Sequence, residues 1–108
     1  MSDAPWIQFA ADCLERADEA IRAAIGGLDE EQLRWRPDAD ANPAGWLCWH
    51  VSRVLDDHLA ELGGVPQRYP EWADRIGAPY PLEAHGYGMT SEDVAAFSCD
   101  AGTLLGYW

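Results

Sequence analysis

The chain has 108 residues, with nineteen acidic residues against seven arginines and no lysine, and its formal net charge at pH 7 is −12. This length suits one domain. A hydrophobic fraction of 48% is ordinary for a globular protein and argues against a disordered chain. Nucleic acids and anionic membranes both attract basic patches, so neither partner is expected for so acidic a protein.

Targeting signals and cysteines indicate the compartment. No apolar run approaches the roughly 20 residues of a membrane span, and the N-terminus lacks the basic and apolar regions of a signal peptide. The three cysteines, Cys13, Cys48 and Cys99, are odd in number and show no CxxC spacing. This pattern favours reduced thiols over a disulfide framework. We therefore predict a cytoplasmic protein with no membrane partner.

The first predicted element is an amphipathic helix over Pro5–Ile25. Its apolar residues recur at helical spacing, Asp3 is a candidate N-cap, and Gly26-Gly27 marks its end. A short helical turn is predicted to start at Asp29, because Gln32 lies three residues later, as in a capping box.

A second long helix is predicted with Asn42 at its N-cap and Pro43 at its first position. We expect it to run to Leu62 and to stop at Gly63-Gly64. Trp46 and Trp49 are not both expected to face inward. The side of this helix that we expect to be buried carries Leu47, His50, Val51, Val54, Asp57, His58 and Leu62.

The segment 65–89 is rich in Gly, Pro and aromatic residues. It predicts an ordered loop that packs on the helices, with one helical turn at Glu71–Ile76. A capping box formed by Thr90 and Asp93 then begins a third helix, whose apolar residues repeat at helical spacing as far as Trp108.

Chemistry-bearing side chains are densest around His50. Asp57 lies on the same helix side, but about 10 Å along the axis, too far to share one metal ion. Cys48 points to the opposite side. The helix therefore offers one imidazole ligand, and further ligands must come from elsewhere. From spacing alone, a lone histidine on an apolar face is more typical of a core residue bonded to a carbonyl.

The other candidate residues have structural interpretations. We expect His58 to be a core or interface residue packed near the end of its helix, with a pocket hydrogen-bond donor as its functional alternative. Cys48 is expected to be structural because no cation lies near it. The two aspartates Asp56 and Asp57 are typical of a solvated or arginine-paired face. His85 is expected at the surface, with a substrate lid as its functional alternative.

The run from Asn42 to His58, with its core Trp-His-x-x-Arg-Val-x-Asp-Asp-His, closely resembles the DinB-like superfamily. It is most similar to the branch long catalogued as a domain of unknown function and related to mycothiol-dependent enzymes. The resemblance continues through shorter stretches as far as the Leu-Leu-Gly-Tyr sequence at 104–107, and so covers nearly the whole chain.

The resemblance implies an all-α, up-and-down four-helix bundle that binds a divalent metal, often zinc, through three side chains. His50 matches the ligand on the second helix. The other two ligands lie on a fourth helix in the family, and this sequence ends at Trp108 before any such helix. We therefore expect three long helices, a missing fourth, and a single domain over residues 1–108 that is incomplete at its C-terminus.

Three functional hypotheses follow. The resemblance implies a metal-dependent enzyme of the S-transferase or isomerase type, which uses a low-molecular-weight thiol as cosubstrate on small electrophiles. The second hypothesis is a metal-free helical binding or scaffold protein, which forms a homodimer to complete its bundle. The third is a domain that sequesters a small ligand without chemistry, in which His50→Ala would leave ligand binding unchanged.

Overall fold

The computed structural model describes residues 4–108, and over that range every regular element is a helix. Helix α3 packs against α1, α2 and α6, and α4 packs against α6. No helix in the described range is long and apolar enough to cross a membrane. The all-α prediction is confirmed. The helices are α1 (Pro5–Ile25), α2 (Glu30–Arg34), α3 (Ala44–Gly63), α4 (Tyr69–Ile76), α5 (Ser91–Ala95) and α6 (Ala101–Tyr107).

The first two helices begin and end where their sequence signals indicate. Helix α1 has the predicted bounds and ends before Gly26, and its predicted cap Asp3 lies outside the described residues. The capping box at α2 is present: the Gln32 amide donates to the Asp29 carboxylate at 2.8 Å, and the Asp29 amide donates to the Gln32 side chain at 2.9 Å. A local capping box therefore starts α2, whereas the N-terminus of α1 has no side-chain cap.

Helix α3 begins one residue later than predicted. Pro43 occupies the N-cap position, not Asn42, and no side chain caps this end. The helix ends at Gly63, within the predicted Gly63-Gly64 stop.

Helix α4 is longer than the single turn predicted at Glu71–Ile76. Its N-terminus is capped from a distance by Asp56 of α3, whose carboxylate accepts from the backbone amides of Arg68 at 2.9 Å and Tyr69 at 2.8 Å. A carboxylate there satisfies amides that have no partner within the helix and interacts favourably with the helix dipole. The cap lies 13 residues before Tyr69, so the local sequence of α4 does not reveal it.

The single helix predicted from Thr90 to Trp108 is wrong in its extent. The Thr90–Asp93 capping box begins α5 as expected, but α5 ends at Ala95. Asp100 then starts α6 by accepting from the Thr103 amide at 2.9 Å. An aspartate side chain that accepts from nearby backbone amides favours the start of a new helix over the interior of a continuous one.

The predicted buried side of α3 is also wrong. Leu47 is 44% exposed and Leu62 is 85% exposed, whereas the neighbouring side of the helix is buried. That buried side carries Trp46 and Trp49, which both lie in the core with their ring centroids 6.2 Å apart. Residues three apart on a helix are neighbours, so the expectation that only one of these tryptophans faces inward is wrong.

The core of the described chain joins α3 to all the other helices. Trp49, the more deeply buried of its two tryptophans, donates from Nε1 to the Tyr69 hydroxyl at 3.2 Å. The aromatic rings of Tyr80 and Phe97 lie 5.0 and 5.7 Å from the Trp49 ring. Segments between helices therefore also contribute to the core. Its buried apolar residues are Ile25, Leu33, Trp46, Cys48, Trp49, Tyr69, Ile76, Val94, Phe97, Cys99, Leu104 and Tyr107.

Candidate functional site

His50 lies on α3 at the border between its buried side and an open groove. The imidazole stacks on the Trp46 ring, with a centroid distance of 4.9 Å and an interplanar angle of 15°. The Tyr87 ring meets it edge-on at 5.2 Å. Two aromatic contacts restrict the ring plane of His50, while the residue remains partly exposed.

One nitrogen of His50 has a defined partner. Nδ1 is hydrogen-bonded to the backbone carbonyl oxygen of His85, and because a carbonyl only accepts, Nδ1 carries the proton. Among residues 4–108, the hydrogen bond of the His50 ring is this one at Nδ1. A neutral imidazole in this tautomer presents the Nε2 lone pair, which is the form that binds a metal ion. The two interpretations of His50, a histidine bonded to a carbonyl and a candidate metal ligand, are therefore compatible.

The loop over His50 depends on Gly86. This residue has φ +113°, a conformation that L side chains rarely adopt, and it is buried against the imidazole. A methyl group added at Gly86 would overlap Nδ1 of His50 and would lie 3.0 Å from the Trp46 ring. Only glycine lets the backbone approach closely enough for this carbonyl contact.

Arg53, one turn after His50, holds the preceding part of the same loop. Its side chain is 2% exposed, and the guanidinium lies 4.2 Å over the Tyr69 ring centroid. Nε donates to the Ala84 carbonyl at 3.0 Å, and Nη2 donates to the Leu82 carbonyl at 3.4 Å. Together with His50, this arginine fixes three carbonyls within residues 82–85.

Gln67 and the two aspartates complete the network around Arg53. Gln67 accepts from Arg53 at 2.8 Å and donates to Asp57 at 3.0 Å. Asp56 accepts from the Tyr107 hydroxyl at 2.6 Å and lies 3.9 Å from Arg53. Burial, together with the Asp56 contact, raises the pKa of Tyr107. Asp56 is therefore paired with an arginine, as one of the two predicted alternatives has it, and it is not solvated.

The other candidate residues mostly take structural roles. His58 is exposed, with Nδ1 donating to the Val54 carbonyl at 2.7 Å, so its predicted packed position is wrong. Burial raises the pKa of the Cys48 thiol, which keeps it protonated and unreactive. His85 is partly buried, and its ring lies 4.8 Å from that of Tyr87. Its backbone carbonyl, not its imidazole, reaches His50.

Within residues 4–108, no group of three or more His, Cys, Asp and Glu is placed to hold a metal ion. Asp57, which was predicted on the same side of α3 as His50, accepts a hydrogen bond from Gln67. The acceptor for His50 is instead the His85 carbonyl. The described residues therefore provide one candidate metal ligand, the His50 imidazole, and not a complete ligand set.

An apolar groove runs beside His50 between α1 and α3. One wall of the groove is the side of α3 that was predicted to be buried. Leu47 and Val51 lie on this wall and are exposed to solvent. Further along α1, Trp6 and Phe9 are 73% and 72% exposed. The apolar stripe of α1 is thus uncovered over much of its length.

His50 is a candidate that the sequence indicates, but the residues that orient it were not predicted. Arg53 stands three residues from His50, a spacing that places both on neighbouring parts of one helix side. That spacing was visible, but the arginine's partners are backbone carbonyls more than 28 residues away. The glycines at 86 and 88 are the one local sign of a loop that approaches something closely.

Comparisons with known proteins place these features in a family. A family model described as the DinB superfamily matches residues 14–99. The crystal structure of a conserved protein from Enterococcus faecalis has a TM-score of 0.81 and 21% sequence identity. The match covers 93% of this chain and 61% of the Enterococcus faecalis chain, and at this identity it shows the fold alone. No curated protein sequence matches the chain. Because the family match takes in α3 and the loop over His50, the chain belongs to the DinB superfamily.

Proposed function

We propose that this DinB-superfamily chain contributes His50 as one ligand of a divalent metal centre, most suitably zinc. The observation that supports this proposal is the hydrogen bond between Nδ1 of His50 and the His85 carbonyl, because it leaves Nε2 as an unprotonated ligand atom. The proposed reaction transfers a low-molecular-weight thiol such as mycothiol to a small electrophile, or isomerises the substrate through a thiol adduct.

In the proposed reaction, residues of this chain orient the His50 imidazole and provide a surface for the substrate. Trp46 and Tyr87 restrict the plane of the His50 imidazole. The groove beside it, lined by Leu47, Val51 and Ile21, offers an apolar surface to a small electrophile. A metal with an open coordination position would favour the thiolate form of a bound thiol. The buried, protonated Cys48 is no competitor for the role of nucleophile.

The ligand set needs more than residues 4–108 of one chain provide. We propose that the remaining ligands come from a second copy of the chain. The proposal is therefore that of a metal centre shared between two copies, and its first test is metal content.

We expect the protein to carry zinc after gel filtration in the presence of the metal, and we expect His50→Ala to reduce zinc to trace amounts. The physical reason is that removal of Nε2 removes a direct ligand. His58→Ala is the matched control, because His58 lies on the same helix but is exposed. Zinc content is measured on one gel-filtration peak of each protein. Absence of zinc from the unmutated protein, or equal loss in both variants, would contradict the proposal.

A metal-free binding protein that forms a homodimer is the second candidate. The uncovered stripe of α1, with Trp6 and Phe9 more than 70% exposed, favours it, since large exposed apolar patches mark interaction sites. The net charge of −12 opposes self-association, so a dimer should strengthen with salt. Sedimentation at physiological salt is expected to show a dimer that Phe9→Asp dissociates. A folded protein that stays monomeric at every salt concentration would contradict this candidate.

A further inference from the structure

Two side chains of α3 hold one short loop segment, residues 82–86, which we name the strap. Arg53 donates to the carbonyls of Leu82 and Ala84, and His50 donates to the carbonyl of His85. Three acceptors within four consecutive residues are thus bound to side chains one helical turn apart. The strap has no regular secondary structure of its own, so these bonds define its position.

We propose that Arg53 is a positioning residue that, through the strap, fixes the proton of His50 on Nδ1 and leaves Nε2 free. This inference rests on the proposed function, because the position of the proton affects metal binding only where His50 is a ligand. The position of the proton, however, is a property of the chain alone. Arg53 touches neither a substrate nor a metal in this role, and it acts only through the His85 carbonyl.

The geometry explains why an arginine is used here. The guanidinium is planar and presents several N–H donors in a fixed fork, so one side chain binds Leu82, Ala84 and Gln67 at once. Its stacking on Tyr69 and its burial fix the direction of that fork. A lysine at 53 retains the charge but presents three rotatable donors at a single point. Arg53→Lys therefore tests geometry rather than charge.

The consequence for His50 is a choice between two tautomers. A neutral histidine carries its proton on either nitrogen, and the partner of one nitrogen decides which. With the strap in place, the His85 carbonyl accepts from Nδ1. If the strap moves away, that acceptor is lost, and a proton on Nε2 becomes competitive. An Nε2–H group lacks the lone pair that a metal ligand needs.

The test is the position of the His50 proton, measured by long-range proton–nitrogen correlation NMR on the metal-free protein. All variants are measured at the same mildly alkaline pH. In the unmutated protein we expect an unprotonated nitrogen signal at Nε2. In Arg53→Lys we expect partial loss of that signal and the appearance of an Nε2–H population. The control is Arg36→Lys, since Arg36 also donates to backbone carbonyls, but those of Ala39 and Ser91.

A second pair of variants keeps the proposal testable if Arg53→Lys does not fold. Gly86→Ala leaves Arg53 in place but pushes the strap away from His50, because the added methyl would overlap Nδ1. Gly88→Ala is its control: Gly88 also has a positive φ, +74°, but an added methyl would meet nothing within 4 Å. We expect only Gly86→Ala to produce the Nε2–H population.

The outcomes separate this proposal from the proposed function. An unmutated protein with the proton on Nε2 would overturn the inference, as would a folded Arg53→Lys or Gly86→Ala variant with His50 unchanged. If zinc binds, loss of such a supporting contact is expected to weaken its affinity about 10–100-fold in Arg53→Lys. If zinc does not bind the unmutated protein, the proposed function fails, while the NMR result still decides whether Arg53 sets the tautomer.

Discussion

Arg53→Met is expected to lower the free energy of unfolding by about 3–5 kcal/mol, because it removes a buried charged donor and leaves the largely buried Asp56 carboxylate and several acceptors without it. The Arg53 side chain is 2% exposed and Asp56 is 11% exposed. Methionine fills a similar volume but leaves the Leu82 and Ala84 carbonyls and the Gln67 side chain without their donor. Urea unfolding followed by circular dichroism measures the difference.

The control for this prediction is Arg16→Met. Arg16 forms an ion pair with Asp12 at 2.9 Å, but the two side chains are 77% and 57% exposed. Exposed pairs of this kind contribute at most about 1 kcal/mol. A loss in Arg53→Met no larger than that in Arg16→Met would show that the Arg53 network does not stabilise the fold.

The sequence predicted those parts of the fold that local chemistry determines. The bounds of α1 and the capping box at Asp29 follow from residues within one or two helical turns of each other. The bounds of α4 and α6 were missed for two different reasons. Asp56 caps α4 from another helix, which no local pattern shows. The signal for α6, Asp100 with Thr103, was local but was outweighed by the apolar periodicity that continues through the break.

The candidate site divides in the same way. His50 was found from a family resemblance in the sequence around it, and its position on α3 is confirmed by the structure. The strap that orients it is held by backbone carbonyls, and a carbonyl is present at every residue. Residue identity therefore carries little information about which carbonyl will be used. Gly86 is the exception, because its positive φ and its closeness to the imidazole both require glycine.

The error on α3 has a physical cause that leads to the second large prediction. Periodicity alone favoured the side with Leu47 and Val51, but the larger aromatic rings of Trp46 and Trp49 occupy the core. A tryptophan buries more area than a valine or leucine, and its N–H usually has a partner when it is buried. The Nε1–H of Trp49 donates to the Tyr69 hydroxyl, whereas the buried Nε1–H of Trp46 has no hydrogen-bond partner among the described residues. The residues with most area to bury thus determine which side of the helix faces inward.

Trp49→Ala is accordingly expected to lower the free energy of unfolding by about 3–5 kcal/mol, since the cavity it leaves lies among rings that cannot all close around it. Trp49 is 0% exposed. Trp35→Ala is the matched control: Trp35 is 68% exposed, and its loss should change stability by no more than about 0.5 kcal/mol. Trp49→Phe separates packing from hydrogen bonding, because it keeps a ring but removes the donor to Tyr69, at a cost of about 1–3 kcal/mol. Urea midpoints of the three variants decide the matter: equal losses at positions 49 and 35 would mean that Trp49 is not the centre of the core.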